Sequence, residues 1–549
     1  MKRAFVPRPG PLRRALALCL LLLALSLTAC GGGEVAEQPP FVVHTGETVR
    51  TLDPASGQGD TLYNHLYEGL TRLDESGQVA LPGMAQRWTV SEDGLTYTFQ
   101  LRRAKWSDGQ AVTAQDFVYA WRRAAGQVEP LESPFLLLEN GAKVVAGKAE
   151  PETLGVEALS ARKLQVRLAQ PNPLFPQICA LPSLFPLRED WDAEREEGYS
   201  PTNGPYVLAE WTPGERALLV QSDRYHGRKE LTLSSIEFLM GRDAQTALAE
   251  FQAGVLDFNA ALPEDQLADL AKTASYRDFP ALGSAYVCFH CTQEPLDDAG
   301  VRRALTLAVD RQALVGQLGR RACEPVAGLM GNGYWGGEQG FRTAGGNLLC
   351  ADGKLDKSLS QAKKLLQQAG YGEDKPFPTI TYCYNATTLN KVAAQALQQM
   401  WRDHLGVDVA LESMEWSAFA AARSKDEFQL CRQALGAAYP DPLLVLQRFT
   451  GGHAANDANF DNQQYDSLVA KAAKEPELAV RMELLHQAEE LLLEQGGVAP
   501  LYGYVTPCLT DPQLQGLACD GRGTWFFGAV TRPAPSRSPS APADGANNR

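Results

Sequence analysis

Strand and helix periodicities alternate along most of this chain, and that alternation limits its fold more than any other feature. It is clearest at residues 379–414. TITYCYN and VDVALESM read as strands, and NKVAAQALQQMWRDHLG between them reads as a helix, a βαβ-like unit. The pattern recurs elsewhere. In residues 61–70, TLYNHLYEGL places Leu62, Leu66 and Leu70 at helical spacing, and LTYTFQL at 95–101 alternates as a strand. KWSDGQAVTAQDFVYAWRR at 105–123 holds a Ser-Asp-Gly turn, Thr113 as N-cap, and a helix with Phe117, Val118 and Trp121 on one face. DDAGVRRALTLAVDRQALV at 297–315 reads as one helix with an acidic start, and KSLSQAKKLLQQAGYG at 357–372 as an amphipathic helix closed by glycine. Such alternation implies mixed α/β layers, because each apolar helix stripe has to be buried against a sheet.

The amino end is not part of that pattern. Lys2, Arg3, Arg8, Arg13 and Arg14 precede an apolar run at 15–27, which closes on Leu27-Thr28-Ala29-Cys30. A basic stretch followed by a short apolar run is an export signal, and this run is too short to span a bilayer. The Leu-Thr-Ala-Cys ending resembles the bacterial lipobox, in which the cysteine is lipidated and becomes the mature first residue. The resemblance predicts a signal at 1–29, a lipid on Cys30 and a glycine-rich tether at 30–40, which would hold the folded part at a membrane outside the cytoplasm.

Cleaving the signal removes five positive charges and no negative ones, taking the net charge from −14 to −19. An acidic exported chain with no later basic run is a poor partner for nucleic acid or anionic lipid. The roughly 500 residues that remain exceed one hydrophobic core, so two or three domains are expected. Residues 531–549 are rich in Pro, Ser and Ala and are expected to be a disordered tail.

Beyond Cys19 and Cys30 there are nine cysteines, so within one chain at least one stays unpaired. Cys323–Cys350 and Cys508–Cys519 are candidate loop staples. Cys288 and Cys291 mimic a C-x-x-C motif but lie in the strand-like YVCFHCTQ, where buried thiols or separate disulfides fit better than a metal or redox pair.

Seven blocks in order over about 40–530 resemble the extracytoplasmic oligopeptide-binding proteins of ABC importers, a solute-binding family that includes dipeptide and nickel binders. They are LDP at 52–54, LYEGL at 66–70, KWSDGQAVTAQDFVYAWRR at 105–123, TNGPYVL at 202–208, QAGVLDF at 252–258, VRRALTLAVDR at 301–311 and AKKLLQQAGY at 362–371. The resemblance implies a two-lobed α/β periplasmic-binding-protein fold of type II with an extra inserted subdomain. Lobe one would take 41–60, 200–288 and 500–530, the insert 61–199, and lobe two 289–499. Two or three crossing strands would form the hinge, with ligand held between the lobes. It also implies a monomeric receptor without cofactor or metal, which hands a peptide or other small solute to ABC importer permease subunits.

The residues that would hold the ligand follow from the same resemblance. In the family's peptide binders the peptide pairs through its backbone with strands of the protein. One of those strands matches CRQALGAAYPDP at 431–442. Its small residues, Ala434, Gly436 and Ala438 around Leu435, let a ligand backbone approach. The family's aspartate for the peptide's α-amino group falls on Ala438, so that anchor is missing. Asp441, three residues on, is the candidate replacement. The family's carboxylate-receiving arginines fall on Arg423 and Arg432, both present, and its histidine on Asn390.

The chief reading is therefore a lipid-anchored peptide receptor. The alternative keeps the fold and changes the ligand to an amino-blocked or non-peptide solute, or the role to a sensor. His44, His65, His226, His290, His404, His453 and His486 form no cluster that suits nickel. An exported hydrolase is disfavoured, since H-E-x-x-H and G-x-S-x-G are both missing and His486-Gln-Ala-Glu489-Glu490 reads as a solvated helix face.

Overall fold

The computed structural model describes residues 39–127, 133–191, 199–319 and 323–532. The signal at 1–29, Cys30, the tether up to residue 38 and the tail from 533 lie outside the described residues.

From Phe41 onward the chain is organised on an eleven-stranded sheet. Its strands are β1 (Phe41–His44), β2 (Tyr206–Thr212), β3 (Arg216–Gln221), β4 (Ser235–Leu239), β5 (Phe258–Asn259), β6 (Tyr276–Phe289), β7 (Cys323–Pro325), β8 (Ile380–Asn385), β9 (Val409–Met414), β10 (Leu430–Ala434) and β11 (Val498–Thr510). They run in the order β9-β8-β10-β6-β11-β5-β1-β4-β3-β2, with β7 added to β11. The βαβ unit read from the sequence is β8, the helix Thr388–Leu405 and β9, and the two strands pair in parallel, as a helical crossover requires.

All strand pairing between the two ends of the sheet passes through β6 and β11. Tyr276–Pro280 of β6 faces Leu509–Val505 of β11, and Ser284–Cys288 faces Gly503–Val498, with register shifts at Pro280/Ser284 and Ala285/Tyr286. Gly283 sits in the first irregularity with φ of +103°, and an added Cβ would lie 2.4 Å from the Leu435 carbonyl oxygen. Conformation and space both demand glycine there.

Between β1 and β2 the chain forms a separate four-stranded antiparallel sheet, with the helix Ala114–Ala125 packed on it. Phe117, Val118 and Trp121 are buried as their spacing predicts. The Asp116 carboxylate accepts the Thr113 N–H at 2.7 Å and the Trp106 indole N–H at 3.2 Å. The Lys-Trp-Ser-Asp-Gly turn and the helix start are thus one unit.

Two expectations fail. Residues 297–315 form two helices, Ala299–Leu307 and Arg311–Gln317. Asp310 is extended and its carboxylate caps the second helix at Ala313 N–H (2.9 Å), while the buried Arg311 guanidinium binds the Pro500, Val309 and Thr306 carbonyls. Tertiary hydrogen bonding here overrides helix propagation. The expected disulfide staples are also not formed, since all nine cysteines are free thiols. Cys350 donates to Asp352, Cys519 donates to its neighbour's carbonyl, and Cys323 and Cys508 are buried in strands. Cys288 pairs in register with Cys431 rather than acting with Cys291, and Cys431 also pairs with Cys383.

His65, at the end of the helix Asp60–Leu66, is enclosed by the rings of Tyr206, Phe238, Phe526 and Phe527. Its Nδ1–H donates to Thr61 O at 2.7 Å and its Nε2 accepts the Phe527 N–H at 3.0 Å, an arrangement open only to the neutral ring. Burial pulls its pKa down to about 4 from 6.5. The unfolded chain takes up this proton first, so stability is full above pH 6.5 and falls as pH drops towards 4. We expect a loss of up to about 3 kcal/mol across that window in urea unfolding, and a shallower pH slope in His65→Asn. Equal slopes in the two proteins would refute the assignment.

Candidate ligand-binding site

β10 lies between β6 and β8, but β8 pairs with it only at Leu430 and Cys431. From Arg432 onward the edge facing away from β6 has no strand neighbour among the described residues. The chain then continues past the end of β10, with Leu435 N–H donating to Ser284 O at 2.8 Å. Exposure alternates: Ala434, Gly436 and Ala438 are exposed, Leu435 is buried and Ala437 half-buried. A Cβ added at Gly436 would meet nothing within 4 Å. The stretch is a small-residue surface, open at Gly436 and backed by Leu435 in the core.

The two arginines differ in environment. Arg423, on the helix Trp416–Ser424, is half-buried and donates to Asp457 Oδ2 from Nε (3.0 Å) and Nη2 (2.5 Å). Gln433 Nε2 reaches the same oxygen at 2.6 Å. Its charge is therefore balanced within the protein. Arg432, on β10, donates from Nη2 to the Tyr504 hydroxyl at 2.9 Å, and its buried Nε–H has no hydrogen-bond partner. Among the described residues no carboxylate lies within ion-pair reach of it. A guanidinium in that position can take a carboxylate.

Asp441 and Asn390 are placed otherwise than expected. Asp441 is 1% exposed; its Oδ2 receives Arg481 Nη2 at 2.8 Å and Asn172 Nδ2 at 3.2 Å, and its Oδ1 caps Leu443 N–H at 3.0 Å. This carboxylate is engaged inside the protein, where it is enclosed rather than facing a ligand as the sequence reading expected of a replacement anchor. Asn390 is buried in the first turn of its helix, where its Nδ2 donates to the Asn385 carbonyl and side-chain oxygens. Glu489, read from the sequence as part of a solvated face, is 0% exposed. It pairs with Arg342 at 2.9 Å and accepts the N–H groups of Leu329 and Met330. No group of three or more potential metal ligands occurs among the described residues.

Sequence reasoning missed Tyr504, Asp457 and Gly283. Tyr502-Gly503-Tyr504 was legible as a strand pair on one face, but nothing local signals that it meets Arg432. Asp457 lies in loop sequence with no periodicity to mark it.

The comparisons accord with this geometry. The family of bacterial extracellular solute-binding proteins, family 5, matches residues 80–457, and the chain belongs to it. Its sheet and helices form the two-lobed α/β fold of the periplasmic binding proteins. The dipeptide-binding protein DppE of Bacillus subtilis (strain 168) is 31% identical over 85% of this chain and 87% of its own length. The probable deoxycholate-binding periplasmic protein YgiS of Escherichia coli (strain K12) is 33% identical over 88% and 91%. The murein tripeptide-binding protein MppA of Escherichia coli, in its unliganded open form, superimposes with a TM-score of 0.81 at 30% identity, covering 90% of this chain and 97% of that one. A second structure of the same relative gives 0.62.

Removing the charge of Asp441 would leave Arg481 buried and unpaired. Asp441→Asn should therefore lose about 3 kcal/mol or more of unfolding free energy in urea titration. A loss below about 1 kcal/mol, the usual range for an exposed pair, would contradict this account.

Proposed function

We propose that the chain is a lipid-anchored extracytoplasmic receptor that captures a peptide between its lobes and delivers it to an ABC permease. The observation that carries the reading is Arg432, a half-buried guanidinium without a carboxylate partner among the described residues, on the edge strand that leads into the small residues Ala434 and Gly436. A ligand strand laid on the free edge of β10 gains main-chain hydrogen bonds, and its carboxylate is received at Arg432. The relatives' names describe peptide-binding proteins, which supports the same ligand class. The better superposition on an unliganded open form supports a receptor open and ready to load, with closure taken up at the irregular middle of β6 and β11.

One observation favours a second ligand class. Ala438 offers no charge to an α-amino group and Asp441 is enclosed, so the site holds the ligand's carboxylate end and leaves its amino end unanchored. Amino-blocked peptides and other anionic amphipaths fit as well as free peptides. A relative at 33% identity is named for deoxycholate, which points the same way.

Calorimetry with trialanine blocked at either end tests both readings. Acetylating the amino end should leave affinity unchanged or raised, while amidating the carboxyl end should weaken it about tenfold or more, a difference lost in Arg432→Ala. A strong preference for the free amino end would overturn the proposed orientation.

Lipidation at Cys30 is tested separately. Cys30→Ala should move the protein from the membrane fraction to the soluble fraction and abolish labelling by an acyl-chain probe. Unchanged membrane retention would remove the anchor from the proposal.

A further inference from the structure

A cavity of about 610 Å³ is lined by neither Arg432 nor any residue of the stretch at 434–438. It lies between the end of the helix Asp60–Leu66, the hairpin of Thr71–Leu73 with Ala80–Pro82, the loop at 225–231, and the hairpin of Ala518–Cys519 with Trp525–Phe526. That volume is in the range of small-molecule sites. Tyr67, Leu81, Phe185, Tyr225, Trp525 and Phe526 supply apolar and aromatic wall.

The charge of the lining is one-sided. It includes five carboxylates, of Glu68, Asp74, Glu75, Glu230 and Asp520, against the single guanidinium of Arg72, which lies 3.6 Å from Glu230. Two of the carboxylates are taken up by their own turns: Asp74 by Ser76 and the N–H groups of Gln78 and Val79, and Asp520 by the N–H groups of Arg522 and Thr524.

Glu68 differs, being 5% exposed. Its Oε1 accepts the Tyr225 hydroxyl at 2.7 Å, and its Oε2 meets His226 Nε2 at 2.6 Å. Arg102 Nη1 lies 2.8 Å from His226 Nδ1 and can only donate, so Nδ1 is the acceptor and the imidazole is neutral with Nε2–H towards Glu68. Glu68 is thus a carboxyl group held by the Tyr225 hydroxyl and the His226 imidazole. Each oxygen retains a second lone pair, neither forms an ion pair with an arginine or lysine among the described residues, and Arg102 stands behind the imidazole and outside the lining.

We propose that this cavity is a second ligand site, specific for an amphipathic organic cation: an ammonium group at Glu68 and an aromatic body against Trp525 and Phe526. The carboxyl group supplies a hydrogen bond to the ammonium, and the aromatic side chains of the lining supply apolar contact for the body. An anion of the same shape meets repulsion from the same lining. The site stands independently of the interlobe ligand.

Calorimetric titration of the mature protein with 2-phenylethylamine, with phenylacetate as the anionic isostere, decides it. Saturable binding of the amine and none of phenylacetate is expected. Glu68→Gln should weaken the amine about tenfold or more, the loss expected for one charged hydrogen bond. Ala518→Phe, which fills the cavity from its wall, should abolish binding while the circular dichroism spectrum and melting temperature stay near those of the parent. Arg432→Ala should leave the amine's affinity unchanged. Equal binding of amine and acid, retention in folded Ala518→Phe, or loss in Arg432→Ala would each overturn the proposal.

Discussion

The two-stranded ribbon of β6 and β11 is the constraint on which the rest of the structure depends. β10 reaches the other end of the sheet only through β6, and β5 reaches back only through β11. Backbone pairing cannot be stretched, so relative movement of the two ends has to be absorbed where the pairing is already irregular, between Pro280 and Tyr286. Gly283 is at that place, at a φ that other residues adopt only with strain and against the Leu435 carbonyl. The irregular middle of β6 and the start of the stretch at 434–438 therefore touch.

A stretch of small exposed residues has little packing of its own, so its shape must be imposed from outside. Ser284 O holds Leu435 N–H at 2.8 Å, and Ser284 Oγ is itself fixed to Leu329 O at 2.6 Å. At the far end Trp335 N–H binds Pro440 O at 2.9 Å, and Asp441 is tied to Arg481 and Asn172. The stretch is pinned at both ends. This gives the buried aspartate a structural purpose: it fixes the turn that ends the surface. Such a pair is retained for the geometry it specifies more than for net stability.

Much of the fold was legible because local signals and global structure agree. The βαβ unit at 379–414, the Thr113 cap and the apolar face of Phe117, Val118 and Trp121 all appear where periodicity and capping place them. The failures share one cause, which is partners distant in sequence. The helix at 297–315 breaks because Arg311 finds carbonyls that include Pro500 O. Glu489 is buried because Arg342 and the loop at 329–330 need its carboxylate. Asp441 and Asp457 likewise take roles set by Arg481, Asn172, Arg423 and Gln433. Periodicity identifies which face is apolar, but not which polar group waits opposite.

The contrast between Arg423 and Arg432 shows what that costs a sequence reading of function. The two are equivalent as residue types, yet one guanidinium is balanced by Asp457 and the other touches a neutral phenol. Only the second gains by receiving an external carboxylate, because its desolvation is already met and no internal pair must be broken. The chain as a whole carries a net charge of −14, so its long-range field repels anions. A single guanidinium acts within a few ångströms against that field, and short-range geometry, not steering, has to select the ligand. On the proposed reading, selectivity for a carboxylate end rests on how deeply Arg432 is set on β10, and the edge of that strand decides how long a chain can lie against it.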